Sequence, residues 1–212
     1  MTDSADPSPS VLLAICGPSG AGKSSVARAL RAQEPSLVFS IAATTRPPRP
    51  GEADAGVYRF VSDQEFERLV RHDGLLEHAE RFGHRYGELR QPTQTALEQH
   101  CDVLFDTDIA GAARIGAALG RLVVTVGLLP PSTAELRRRL SQRHPIDIDH
   151  LEARMHQVGR YVEMACSCDH VVVNDDLDAT IADVRAILRV ERVKVRRPAV
   201  VHAAYAAFGL KS

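Results

Sequence analysis

The stretch Gly17-Pro18-Ser19-Gly20-Ala21-Gly22-Lys23-Ser24 decides how the rest of the chain is read. It fits the phosphate-loop pattern G-x-x-x-x-G-K-[ST] at every fixed position. An apolar run over residues 11–16 precedes it, and a helix-compatible run over residues 25–31 follows. Strand, glycine-rich turn and helix N-terminus form the context that a phosphate loop needs. Glycines let backbone N–H groups turn inward and approach an anion closely, and the helix dipole favours negative charge at the same point. On this reading Gly17, Pro18, Ser19, Gly20, Ala21, Gly22, Lys23, Ser24 and Ser25 cradle a nucleoside triphosphate. Lys23 reaches the β- and γ-phosphates, and the Ser24 hydroxyl ligates Mg²⁺.

Outward from the loop, strand-like apolar runs at 11–16, 37–41, 102–105, 122–126 and 170–173 are interleaved with helical patterns. The helical patterns lie at 23–31, 63–71, 91–99, 132–142, 148–164 and 179–192. Near-continuous apolar strands alternating with helices predict an α/β fold with a mostly parallel sheet covered on both faces. Ser62-Asp63-Gln64-Glu65 has the spacing of a capping box, and Ser132 to Glu135 repeats the device. Residues 45–86, rich in Pro, Gly, Arg and Glu, break the alternation and predict a small insertion, about 44–88. The body spans 11–197, after a polar tail over 1–10. Residues 198–212 form an Ala-rich extension with Tyr205, Phe208 and Leu210, which packs on the body or mediates self-association.

The chain has 212 residues and a formal net charge of -1, so no global basic field points to nucleic acid or a membrane. The basic run Arg189, Arg192, Lys194, Arg196 and Arg197 reads as a solvated helix end. No stretch is long and apolar enough to span a bilayer. The N-terminus, with Pro7 and Pro9, lacks the basic and apolar regions of a signal peptide. A cytoplasmic location follows, with Cys16, Cys101, Cys166 and Cys168 reduced. The one-residue spacing of Cys166 and Cys168 is not that of a zinc knuckle.

A phosphate loop specifies the donor and leaves the reaction open. The second signal is Thr44-Thr45-Arg46-Pro47-Pro48-Arg49-Pro50-Gly51-Glu52. Two arginines stiffened by prolines make a preorganised fork for a phosphate dianion. Further motifs follow in order: Tyr58-Arg59-Phe60, Leu76-Glu77, Tyr86-Gly87, Phe105-Asp106-Thr107-Asp108, Leu129-Pro130-Pro131-Ser132 and Val173-Asn174-Asp175. With these motifs the chain resembles the guanylate kinase family over about residues 11–192.

The resemblance implies transfer of a phosphoryl group from ATP, with Mg²⁺, to a nucleoside 5′-monophosphate, GMP foremost. It implies that Arg46, Arg49, Tyr58 and Tyr86 hold the acceptor phosphate, and that Glu77 accepts from guanine N1–H and the exocyclic amine. Asp106 organises Mg²⁺ through water beside Ser24, Asp108 faces the acceptor or holds an arginine, and Asn174 lies at the ATP site. A lid region over about 137–164 brings Arg139, Arg143 and Arg154 to Lys23 at the transferring group, where charge neutralisation dominates the chemistry.

The chain leaves the family pattern at several places. Ala42 and Glu88 replace small hydroxyl residues at the base. A carboxylate at Glu88 would repel a carbonyl oxygen such as guanine O6. Gln142 and His144, with Pro145 following, replace lid glycines, and Arg160-Tyr161 replaces an acidic pair. Ala153-Arg154 and Arg160-Tyr161 resemble ribose 1,5-bisphosphate phosphokinases over a short span. Two further readings therefore stay open. One is the same chemistry on a modified nucleotide or ribose 1,5-bisphosphate. The other is a non-catalytic guanylate kinase-like interaction module, against which the intact Gly22-Lys23-Ser24 argues.

Overall fold

The computed structural model describes residues 10–48, 56–81, 83–143, 151–152 and 155–194, apart from the side chain of Arg143. In chain order the elements are β1 (Leu12–Cys16), α1 (Lys23–Gln33), β2 (Leu37–Phe39), β3 (Ala42–Thr44), β4 (Tyr58–Phe60), α2 (Asp63–Arg71), β5 (Leu75–Arg81) and β6 (His84–Leu89). They continue with α3 (Arg90–Glu98), β7 (Asp102–Asp106), α4 (Ile109–Leu119), β8 (Val123–Leu129), α5 (Thr133–Arg143), α6 (Val158–Cys166), β9 (His170–Val173) and α7 (Leu177–Arg192).

The larger sheet has the order β2-β7-β1-β8-β9, and every neighbouring pair is parallel. The central strand β1 is buried throughout. Its residues alternate between two cores, as a strand covered on both faces must. Leu13 and Ile15 pack with Val26 and Leu30 of α1 and Val184 and Leu188 of α7. Leu12, Ala14 and Cys16 pack on the other face with Val103, Phe105, Ala112 and Ile115. The parallel α/β sheet expected from the sequence is the architecture found.

A second sheet, β4-β3-β6-β5, is built from chain between β2 and α3. In it β3 runs parallel to β4, and β6 is antiparallel to both β3 and β5. Its own small core holds Ala43, Phe66, Leu75 and Leu89. Helix α2 starts at the expected capping box: Glu65 N–H donates to Ser62 Oγ, and the Glu65 carboxylate accepts from Ser62 N–H. At Ser132, the hydroxyl accepts from Glu135 N–H at the start of α5.

Several boundaries differ from the sequence reading. Strand β2 ends at Phe39, and the chain re-enters as β3 in the other sheet. Strand β8 runs on through Gly127 to Leu129, because β9 pairs with residues 126–129. Helix α4 was not anticipated, since Gly111 and Gly116 lower the helical signal of its sequence. The helical pattern over 148–164 is divided: 155–156 are helical, 157 is a turn, and α6 begins at Val158. The tail before residue 10 and the extension 198–212 lie outside the described residues. Among the described residues no helix is long and apolar enough to cross a membrane.

A buried carboxylate fixes the start of β1 against β7 and α7. Asp102 accepts from Val11 N–H at 2.6 Å and from the Arg192 guanidinium at 2.6 Å. Arg192 also meets Glu34, which pairs with Arg185. Replacing Asp102 leaves the Val11 N–H buried without an acceptor, a loss worth about 2 kcal/mol. Asp102→Ala should therefore lower unfolding free energy by about 2 kcal/mol in urea titration without changing secondary structure.

Candidate active site

The loop between β1 and α1 is made of backbone that only glycine adopts easily. Gly17, Gly20 and Gly22 have φ values of 147°, 90° and 98°. A Cβ at Gly17 would stand 2.2 Å from the Leu128 carbonyl oxygen, and one at Gly22 would stand 2.1 Å from Asn174 Nδ2. Lys23 curls back over the loop. Its Nζ donates to Gly17 O at 3.0 Å and lies 3.7 Å from Asp106 Oδ1. Asp106 reaches this point because it ends β7, in register with Ile15 of β1. Beneath the loop, a hydrogen bond with Cys168 and burial both push the Cys16 thiol up, so it keeps its proton.

Asn174, just past β9, holds the loop from behind. Its Nδ2 donates to Ala21 O at 2.7 Å, its N–H donates to Leu129 O at 2.7 Å, and its Oδ1 accepts from Thr180 Oγ1 at 3.2 Å. Arg139 donates to the Asn174 carbonyl at 2.9 Å and pairs with Glu135 at 2.7 Å. Asn174 and Arg139 thus sit behind the loop and are not among the cavity-lining residues.

In front of the loop opens a cavity of about 880 Å³. It brings together Lys23, Ser24, Arg46, Tyr58, Asp106 and Asp108 from the expected set. Four arginines that the sequence reading did not select also line it: Arg28, Arg81, Arg114 and Arg160. Six cationic side chains face three carboxylates, Glu80, Asp106 and Asp108, a balance that suits a polyanion. Tyr86 of β6 lies opposite Thr44 and Ala79, half-buried; it is not among the lining residues, though its neighbours Ala79 and Tyr58 are. Arg49, Arg154 and the side chain of Arg143 fall outside the described residues.

Local contacts set the working state of these groups. Arg46 is nearly buried, with its guanidinium 5.4 Å from the Tyr58 ring centroid. Burial, with the charge of Asp106 adding, pushes the Tyr58 phenol up to about 12, so it stays a hydrogen-bond donor. Asp108 caps α4 by accepting from Gly111 N–H at 2.7 Å, while its other oxygen accepts from Arg81 at 2.7 Å. Asp108 thus holds Arg81 while also lining the cavity.

Two carboxylates are buried in the second sheet. Glu77 accepts from Arg114 at 2.8 Å, with Thr107 Oγ1 at 3.5 Å from its other oxygen. Glu88 lies directly across from Glu77 on one side and from Ala42 on the other. The Ser40 hydroxyl donates to Glu88. Burial pushes the Glu88 carboxyl up to about 7; the Ser40 hydrogen bond opposes the rise, and the charges of Glu77 and Asp106 add to it. The departures at residues 42 and 88 are thus neighbours, directly opposite each other across β3 and β6.

The guanylate kinase family model matches residues 10–191. The chain belongs to the guanylate kinase family. The guanylate kinase of Rhodospirillum rubrum is 44% identical over 187 residues, covering 88% of this chain and 86% of the relative. That of Gluconobacter oxydans is 43% identical over 191 residues, covering 88% and 90%. The crystal structure of guanylate kinase from Anaplasma phagocytophilum superposes with a TM-score of 0.74 at 30% identity, covering 93% of this chain and 96% of that one.

The environment of Glu88 gives this guanylate kinase family member a pH-dependent stability. The carboxyl titrates near 4.5 ordinarily and near 7 in the fold. Below 4.5 both folded and unfolded states hold the proton. Between those values the folded state holds more protons, so stability falls as pH rises, and above 7 the loss is complete. Glu88→Gln removes the titration. Its unfolding free energy minus that of the parent should be about 2 kcal/mol larger at pH 8 than at pH 5, the variant gaining relative stability as pH rises, measured by denaturant titration.

Proposed function

We propose that this protein transfers the γ-phosphoryl group of ATP to GMP, yielding ADP and GDP. The observation that carries this reading is an intact phosphate loop opening into a cationic cavity, where Arg114 of the wall pairs with the buried Glu77 behind it. The relatives' shared name, guanylate kinase, supports the same activity. The acceptors suggested by Ala42 and Glu88 alone, a modified nucleotide or ribose 1,5-bisphosphate, find no support in the comparisons.

In this proposal the backbone N–H groups of residues 19–24 hold the donor phosphates, and Lys23 leaves Gly17 O to bridge the β- and γ-phosphates. Ser24 and Asp106 line the same cavity and offer the hard oxygen donors that Mg²⁺ prefers, Asp106 acting through water. When bound there, Mg²⁺ offsets charge on the transferring group. Arg46 and Tyr58, with Arg49 and Tyr86, hold the acceptor phosphate. That phosphate is already ionised and attacks in line, so no general base is required. Glu77 accepts from guanine N1–H and the amine, and Arg114 supplies the charge partner that a buried carboxylate needs.

The bonds made by Asn174 and Arg139 favour a bracing role for both, in place of contact with ATP. Arg143 and Arg154 belong to the proposed lid over about 137–164. Closure of the lid and of the acceptor-binding segment, about 44–88, excludes water from the transfer. Four free cysteines suit the proposed cytoplasmic setting. Partners beyond small nucleotides, nucleic acid included, are not part of this reading. Glu77→Gln tests it: ADP release should show kcat/KM for GMP lowered about 100-fold with the KM for ATP unchanged. An unchanged kcat/KM for GMP would overturn the assignment of Glu77.

A further inference from the structure

We propose that Glu88 reads the acceptor base as a neutral carboxylic acid, its O–H donating to guanine O6 while Glu77 accepts from the N1–H and the exocyclic amine. This rests on the reading of Glu77 given above. The register of the second sheet carries it. Glu77 and Glu88 are direct cross-strand partners, so their side chains share one face. Both are buried. Two like charges placed so are unfavourable, and one member of such a pair keeps its proton.

The partners decide which member that is. Glu77 has a guanidinium at 2.8 Å. Glu88 has a neutral hydroxyl, Ser40, and among the described residues no ion pair. Two of the three charged groups that act on Glu88 favour its neutral form. Glu77 on β5 and Asp106 at the end of β7 disfavour a second negative charge. Arg81 opposes them, yet its guanidinium is engaged by Asp108 at 2.7 Å. Tyr58 on β4, which feels the charge at Glu88, is itself a neutral phenol. Strand β3 presents only Ala42 opposite it. Burial is the largest influence, and the carboxyl rises to about 7.

Guanine offers two adjacent donors and one carbonyl acceptor along the edge concerned. A charged Glu77 matches the donors and an acid O–H matches the carbonyl. A charged Glu88 would face O6 with like polarity, so deprotonation should weaken GMP binding. Affinity is then full below about pH 7 and falls tenfold per pH unit above it. The acceptor phosphate has its own second ionisation near about 6, but this is common to every variant.

The test is calorimetric Kd for GMP at about pH 6 and about pH 8.5, for the parent, Glu88→Gln and Glu77→Gln. Glu88→Gln supplies an amide donor that does not titrate. The ratio of parent Kd to Glu88→Gln Kd should rise at least about tenfold between the two pH values. A flat ratio, with Glu77→Gln still weakening GMP, overturns the role of Glu88 alone. If Glu77→Gln leaves GMP binding intact, the base-edge reading of Glu77 fails and this inference falls with it. Should Glu88→Gln not fold, the parent alone decides. AMP has the same phosphate and no 6-carbonyl, so the ratio of GMP Kd to AMP Kd should rise with pH, and a constant ratio would contradict the inference.

Discussion

The backbone of Gly17–Ser24 fits between Leu128 and Asn174 because it carries no Cβ at Gly17 or Gly22. The rest of the site depends on that close fit. Parallel pairing of β1 with β8 delivers the Leu128 carbonyl, and pairing with β7 delivers Asp106 beside Lys23. Asn174 closes the third side by bonding Ala21 O, and Arg139 in turn fixes Asn174. Such a loop is oriented before any ligand arrives, so little ordering is left to offset on binding.

The acceptor side is tied to this frame through α4. Its N-cap, Asp108, holds Arg81 of β5, and Arg114, further along the helix, holds Glu77 of the same strand. The two ion pairs run in opposite senses, so helix and strand match in only one register. Loss of either would leave a charge beside a cavity already rich in arginine. The same register places Glu88 next to Glu77. The geometry that locates the base-reading carboxylate therefore also determines the protonation of its neighbour.

The sequence made the larger sheet legible because its strands are apolar on both faces, and Leu12 to Cys16 read the same way without any partner. The second sheet was hidden for the opposite reason. Leu75-Leu76-Glu77-His78-Ala79-Glu80-Arg81 has only two large apolar residues before a charged and polar run, and β3 and β4 have three residues each. The phosphate loop is local and could be read directly. Arg114 and Glu77 stand 37 residues apart, and nothing in their spacing announces the pair. Ala42 and Glu88 each stood out, but only the strand register makes them opposite partners. The family resemblance supplied Asn174 as a nucleotide contact, whereas its side chain is engaged within the chain.

The central claim is that this cavity couples ATP to a guanine nucleotide. The most direct measurement is initial ADP release with GMP and with AMP under identical conditions. The account predicts a kcat/KM for GMP at least about 100-fold above that for AMP, since buried polar groups reject a base that leaves them unpaired. Equal turnover of the two nucleotides would contradict it.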